Sequence, residues 1–544
     1  MPQDAHATGS ADPAEVYDVI VAGAGFSGLF LLHRLRSAGF KVLVIESGGG
    51  VGGTWYWNRY PGARCDVESV DYSFSFDEGL QQEWVWTERY AGQAEIRRYL
   101  DHVADRFDLR RDIRLNTRVD AAHFRSDTAD WLVHTSDGAT LISRFCIMAT
   151  GPLSSIKPPD FEGLADFAGQ WYHSARWPQE GVDFTGKRVA VIGTGSTGVQ
   201  IIPTVAKLAE HVTVLQRTPN YSIPARNRPM SKEELDEVKA TYADRRVRAR
   251  MAASGVPNPP VLEPGEGVPE DEKRAHFERG WAIGGVVGIL RAYSDIITST
   301  EVNESLARFV RDKIADTVHD PVTAEKLTPR DYPLGAKRLC VDSNYFETYN
   351  RPNVTLIDVN ADPIVRITPR GIQTATGHID VDIIVFAIGF DAITGAVKEI
   401  DIRGREGLTI QDHWREGPKA HLGLAVNGFP NMFLMTGPGS PAVLGNVVTF
   451  LEQQVEMIAT ILEMVRSDGA RTIEAEQEAE NTWAAHVQEI ASQTLFMKGK
   501  SWFIGANIEG KPVGFLPYAG GLVRYHAECE AMVEAGLRGF SLTK

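Results

Sequence analysis

The stretch Tyr17–Ser47, YDVIVAGAGFSGLFLLHRLRSAGFKVLVIES, decides the fold class. Val19–Ala22 is a short apolar run of the kind that forms a strand buried on both faces of a parallel sheet. Gly23, Gly25 and Gly28 follow in G-x-G-x-x-G spacing. Phe30–Ala38 then reads as a helix with Gly39 as its stop, and Lys41–Glu46 as a second strand. The order strand, glycine loop, helix, strand is that of a dinucleotide-binding α/β unit. A second copy begins at Gly186, GKRVAVIGTGSTGVQ, with Val189–Ile192 as the strand. Gly193, Gly195 and Gly198 repeat the spacing, and Val212–Leu215 is the following strand. One such motif is weak evidence; two, each after an apolar strand and before a helix, are strong.

Both copies share one physical logic. Glycines let the backbone approach a pyrophosphate, and the helix N-terminus offers it free N–H groups and the positive end of a dipole. The copies differ where the nucleotide is selected. Glu46 ends the second strand of the first copy, and a carboxylate there accepts hydrogen bonds from ribose hydroxyls and repels a 2′-phosphate. The matching position of the second copy is Gln216, followed by Arg217 and Thr218. A guanidinium suits a 2′-phosphate by charge and by its forked geometry. The first site is therefore expected to take FAD or NAD and the second NADP; one of each is most simply an FAD protein reduced by NADPH.

The fold expected is α/β, with two Rossmann-like dinucleotide-binding domains, for FAD and for NADP, and a helical insertion. FCIMATGPL (Phe145–Leu153) and DIIVFAIGFDA (Asp382–Ala392) are buried strands ending in a small residue and a glycine, suited to crossings between the two domains. Residues 1–16 are read as a flexible tail, 17–152 with 391–544 as the FAD domain, and 153–224 with 329–390 as the NADP domain. Residues 225–328, rich in Glu, Lys, Arg and Ala, are read as the insertion, interrupted by a Pro/Gly-rich loop at Pro257–Asp271. The run Arg245, Arg246, Arg248, Arg250 is read as a solvated helix face.

Composition narrows the class further. With 544 residues, 43% hydrophobic and 23% charged, the chain is globular and long enough for several cores. A net charge of −15 repels phosphate backbones, so neither nucleic acid nor an anionic membrane is an expected partner. Cys65, Cys146, Cys340 and Cys529 form no Cys-x-x-Cys pair, which argues against a disulfide framework, a dithiol redox motif and a zinc or other metal site. No apolar run reaches the roughly 18 residues a membrane span needs. Val19–Leu32 is preceded by Asp4, Asp12, Glu15 and Asp18, the wrong charge for a signal peptide. A soluble, cytoplasmic protein is expected, with a monomer as the default.

Two further strings carry chemistry. Gly52–Asp66, GGTWYWNRYPGARCD, joins a glycine pair to clustered aromatics and fits a flavin-wrapping loop; Trp55, Tyr56, Trp57 and Tyr60 are alternatively core aromatics. Between the glycine motifs stands FAGQWYHSARWP, with Phe167, Gly169, His173, Trp177 and Pro178. On these strings the chain resembles the Baeyer–Villiger monooxygenases of the single-chain FAD/NADPH type, such as phenylacetone, cyclohexanone and steroid monooxygenases. The likeness runs from about Tyr17 to the C-terminus. Flavin monooxygenases that oxygenate nitrogen or sulfur share the double glycine motif, but they usually lack the Trp-rich loop and a Trp at the position of Trp177. Two other rivals are a disulfide-type flavin reductase, which would need a cysteine pair, and a non-catalytic NADP sensor, which would need no FAD.

The resemblance implies conversion of a ketone and O2 to an ester or lactone through a C4a-peroxyflavin. It places FAD against Gly23, Gly25, Gly28, Glu46, Gly53, Thr54, Trp55, Tyr60 and Asp66. NADP falls to Gly193, Gly195, Ser196, Gly198, Arg217, Thr218 and Lys337. Arg338 is implied as the cation that stabilises the peroxide, and an arginine suits that role because it keeps its proton. Asp66 is implied beside it, His173 as a linker between the nucleotide domains, and Trp502 as an indole on a mobile loop over the nicotinamide. Pro441, Ala442, Val443 and Leu444, in TGPGSPAVLGN (Thr436–Asn446), are implied in the substrate pocket. Which ketone is used stays open at this stage.

Overall fold

A computed structural model describes residues 15–258 and 261–544. Residues 1–14 of the expected tail lie outside the described residues. Val16 is no part of a tail: it opens the strand β1 (Val16–Ala22) and sits in register with Ile142. The helix α1 spans Phe26–Ser37, starting four residues ahead of the expected Phe30. The reason is steric. A Cβ on Gly28 would lie 1.8 Å from the Gly23 carbonyl oxygen, so the missing side chain lets the helix begin inside the glycine motif and rest on the strand end. The strand β2 (Val42–Ile45) then pairs parallel to β1, Val19 opposite Val42.

β1 lies inside an eight-stranded sheet, with β2 on one side and Thr140–Met148 on the other. Met432–Leu434 pairs with Thr140–Met148, and Asp401–Arg403 lies at the far edge, so the C-terminal part of the chain returns to this sheet. Its main core joins Leu29 and Leu32 of α1 to Ile458 and Leu462 of the helix Val447–Asp468. Each such leucine, once fully buried, contributes about 2 kcal/mol. The second sheet is parallel throughout, in the order Val354–Asp358, His211–Gln216, Arg188–Ile192, Ile383–Phe386, Gln170–His173. The helix Ser196–Val205 follows its glycine loop. Among the described residues no helix is long and apolar enough to cross a membrane.

Between the strands of the second sheet come the helices Lys232–Arg250, Glu270–Ile283, Thr300–Thr317 and Pro321–Leu327. The arginine run on the first of these corrects the sequence reading. Arg245 and Arg246 face inward: Arg245 forks onto Asp71, and Arg246 donates to Ser73 Oγ at 2.7 Å and Gln81 Oε1 at 3.0 Å. Arg248 and Arg250 are exposed. A carboxylate buried on a neighbouring segment, invisible to helical periodicity, overrides the solvated-face expectation.

Candidate active site

The two glycine loops are built alike. Gly23 and Gly193 have φ of +110° and +109°, and a Cβ on either would come within 2.5 Å or 2.3 Å of the carbonyl oxygen of Ala149 or Ala387. The chain itself demands these glycines, and Gly198 against Gly193 repeats the contact of Gly28 with Gly23. The middle glycines are different. At Gly195 the nearest atom to an added Cβ is Asn220 Nδ2 at 4.0 Å, so the chain leaves open space there, in front of the helix N-terminus. Gly25 faces only the backbone of Gly53. These are the positions where a phosphate needs bare backbone, and both loops fit one.

Glu46 is buried at the end of β2. Its Oε2 accepts from Ala24 N and its Oε1 from Gly48 N, both at 2.7 Å. It thus braces the first glycine loop; Oε1 also accepts from Ser47 Oγ at 3.3 Å, so Oε2 is the oxygen that keeps a lone pair for a ribose hydroxyl. Gly53 and Thr54 open a short helix, α2 (Thr54–Trp57), with Thr54 and Trp57 exposed. Trp55 is packed in the main core, and its Nε1 donates to Tyr72 Oη at 3.2 Å, so the aromatic cluster is partly core after all. Tyr60 bonds Gln200 of the second unit at 3.0 Å, and burial pushes its hydroxyl up to about 12.

In the second unit Arg217 is exposed and Lys337 half-buried, its ammonium 4.7 Å from the Tyr332 ring centre. Burial, and then the charge of Arg217, pull the Lys337 ammonium below the usual lysine value. Neither cation has an ion-pair partner among the described residues. Two neighbouring cations, neither held in an ion pair among the described residues, fit a 2′-phosphate. Thr218 lends its carbonyl to Thr194 Oγ1, and Ser196 Oγ lies 3.4 Å from Cys340 Sγ. Gln216, which stands at the acid position, is structural on one side: its Nε2 donates to Lys326 O of the insertion at 2.7 Å.

Arg338 lies where the two units and the returning chain meet. Its Nε donates to Asp66 Oδ2 at 3.1 Å, its Nη2 to the same oxygen, and its Nη1 to Val443 O at 2.5 Å. Burial alone would lower the guanidinium, but the charge of Asp66 and its hydrogen bonds outweigh it and hold it above its ordinary value. Cys65 and Cys340 flank it, and burial drives both thiols up, Cys340 to about 11. All four cysteines are buried free thiols.

Pro441, Ala442 and Val443 are buried and Leu444 half-buried on the loop that supplies the Val443 carbonyl. Ala442 holds φ of +23°, a strained conformation for an alanine of the kind that collects at functional sites. His173 ends the strand Gln170–His173 opposite Phe386, where the chain crosses between units. Its Nδ1 accepts from Ala175 N at 3.1 Å, which leaves the ring proton on Nε2, and burial holds the imidazole below its ordinary value. Trp502 is half-buried, its ring centre 4.4 Å from that of Phe503. Its loop is fastened to the crossing by Asn507 Nδ2 on Phe390 O (2.8 Å) and Lys511 Nζ on Asp391 Oδ1 (2.5 Å). Asn507, Lys511, Tyr332 and Asn446 escaped the sequence reading, because none belongs to a motif with fixed spacing.

Residues 20–254 match a family model described as pyridine nucleotide-disulphide oxidoreductase. A Baeyer–Villiger monooxygenase of Pseudooceanicola batsensis is 42% identical over 525 residues, covering 96% of this chain and 95% of its own. The chain belongs to the Baeyer–Villiger monooxygenase family. A solved structure of an oxidised steroid monooxygenase bound to NADP is 46% identical, with a TM-score of 0.93 over 97% of this chain and 99% of that one. A phenazine N-monooxygenase of Lysobacter antibioticus is 40% identical over 97% of this chain and 97% of its own. As a Baeyer–Villiger family member the protein is an oxidoreductase of the monooxygenase class.

Proposed function

We propose that the protein converts ketones to esters or lactones with NADPH and O2, FAD lying on the first glycine loop and NADP on the second. The observation that carries the reading is the Arg338 guanidinium, held by Asp66 and the Val443 carbonyl where both nucleotide units and the strained 441–444 loop converge. Bound FAD, once reduced by NADPH, supplies the activation of O2. The chain's own part is positioning and electrostatics. Glu46 and the bare backbone at Gly25 hold the first nucleotide; Arg217 and Lys337 hold the 2′-phosphate of the second. Arg338 keeps its proton throughout and faces the negative charge that develops as oxygen reaches the carbonyl. Asp66 fixes the direction of that guanidinium. His173 serves as a neutral linker residue, and the Trp502 loop, fastened over the crossing, excludes water. Pro441, Ala442, Val443 and Leu444 shape the ketone pocket. With Val16 included in β1, the chain is assigned the domain limits 16–152 with 391–544, 153–224 with 329–390, and 225–328, and it acts as a monomer in the cytoplasm.

The test is product mass. Purified protein with NADPH, air and a panel of cyclic, linear and aryl ketones is expected to yield esters or lactones one oxygen heavier than their ketones. NADPH consumption that gives only hydrogen peroxide, with N- or S-oxides from added amines and sulfides, overturns the reading. The 40% identity to a phenazine N-monooxygenase makes those amine controls necessary.

A further inference from the structure

We infer that the buried Arg245–Asp71 ion pair, reaching in from the helical insertion, positions Arg338 and the 441–446 loop and thereby sets ketone fit and the coupling of NADPH use to product. The inference rests on the proposed oxygenation.

The bonds close a circuit. At one end Arg338 joins Asp66 to the Val443 carbonyl. Five residues along from Asp66, the Asp71 carbonyl accepts from Asn446 Nδ2 at 2.8 Å, three residues along from Val443. Two short segments are therefore pinned to each other twice, and Arg338 spans one of the two pins. Asn446 is fully buried, caps the helix Val447–Asp468 through Val448 N, and donates its own N–H to Ser254 O at 2.8 Å. A Cβ on Gly445 would lie 2.2 Å from that same Ser254 oxygen, so the turn after the insertion's first helix presses directly on the loop.

The insertion grips the other segment through charge. Asp71 is 1% exposed, and Arg245 forks onto it with Nε to Oδ1 at 2.6 Å and Nη2 to Oδ2 at 2.7 Å. Arg246 adds a bond to the Asp71 carbonyl at 3.3 Å. Neither Arg245 nor Asp71 touches Arg338, so they are positioning residues. A buried, bidentate pair is rigid, and breaking one side leaves the other charge stranded. Its movement would be passed on to both pins. Displacing a reacting group by about 1 Å costs on the order of 100-fold, so even a fractional shift is measurable.

The experiment uses the flavin-loaded enzyme, with rates expressed per bound flavin and a racemic 2-substituted cyclohexanone as substrate. Arg245→Met is expected to raise the ketone KM and the share of NADPH lost to hydrogen peroxide, each about tenfold, and to change the enantiomer ratio. Arg245→Lys is expected to restore part of each, and anaerobic reduction of the flavin by NADPH to keep its rate. Asn446→Ala breaks the second pin without stranding a charge, so it decides the matter if Arg245→Met fails to fold. It is expected to move the same three quantities. Parent-like KM, coupling and enantiomer ratio in Asn446→Ala, with only a lower Tm, overturn the inference. A parent enzyme that makes N- or S-oxides and no ester overturns the proposed function instead; the peroxide share then reads the circuit on those products.

Discussion

Lys337 and Arg217 offer the sharpest perturbation. If they hold the 2′-phosphate, Lys337→Ala removes one charge-assisted hydrogen bond, worth about 1.5–3 kcal/mol. At about 1.4 kcal/mol per tenfold, the KM for NADPH should rise roughly 10- to 100-fold, while that for NADH, which has no 2′-phosphate, stays put. The two residues should not weigh equally. Lys337 is half-buried against Tyr332 and already ordered, so its loss belongs near the top of that range. Arg217 is exposed and screened by solvent, and Arg217→Ala belongs near the bottom. A second signature follows from the depressed Lys337 ammonium. NADPH binding should weaken, as pH rises, earlier than an ordinary lysine would allow, because the proton is lost sooner. Arg217→Ala removes a neighbouring like charge, so it should push that alkaline limb upward even as it lowers affinity. Steady-state KM for NADPH and NADH against pH reads both effects. An unchanged NADPH-to-NADH preference in Lys337→Ala refutes the assignment.

Further outcomes follow from the same geometry. Arg338→Met should leave NADPH-driven flavin reduction intact but cut ester formation by at least roughly 100-fold, as for loss of one preorganised oxyanion donor; retained ester yield on gas chromatography sinks the role of that guanidinium. Glu46→Ala should give protein with much less bound flavin after desalting, because it removes both the brace on Ala24 and Gly48 and the ribose acceptor. A flavin-to-protein absorbance ratio equal to the parent's counts against it. His421 is buried, and burial, outweighing the pull of the Ala479 and Arg538 backbone, holds it below the ordinary imidazole value of 6.5. The unfolded chain then binds more protons than the folded one as pH falls through that value, so the stability is present above it and lost below. Tm should drop between about pH 7.5 and 5.5, and His421→Phe should flatten the slope; an equal slope in the variant refutes the attribution.

The glycine loops were legible because one clash lies within the motif: a Cβ on Gly28 or Gly198 would meet the carbonyl of Gly23 or Gly193 five residues earlier, and spacing encodes that, whereas Gly23 and Gly193 are forced by the distant Ala149 and Ala387. Arg217 and Lys337 were proposed on different grounds, Arg217 from the absent carboxylate at Gln216 and Lys337 from the family likeness. The arginine run was not legible. Nothing within four residues of Arg245 says that Asp71, 174 residues earlier, waits buried on another segment. A helix face rich in arginine looks solvated until the fold supplies an acid, and the desolvated acid then makes the arginine indispensable. The same holds for Asn446, which caps a helix while its side chain reaches across to the Asp71 carbonyl. Local chemistry writes itself into spacing, whereas groups that hold two segments together are set by the distance between those segments. The residues proposed to bind nucleotides therefore declare themselves early, and those proposed to position Arg338 become visible only in three dimensions.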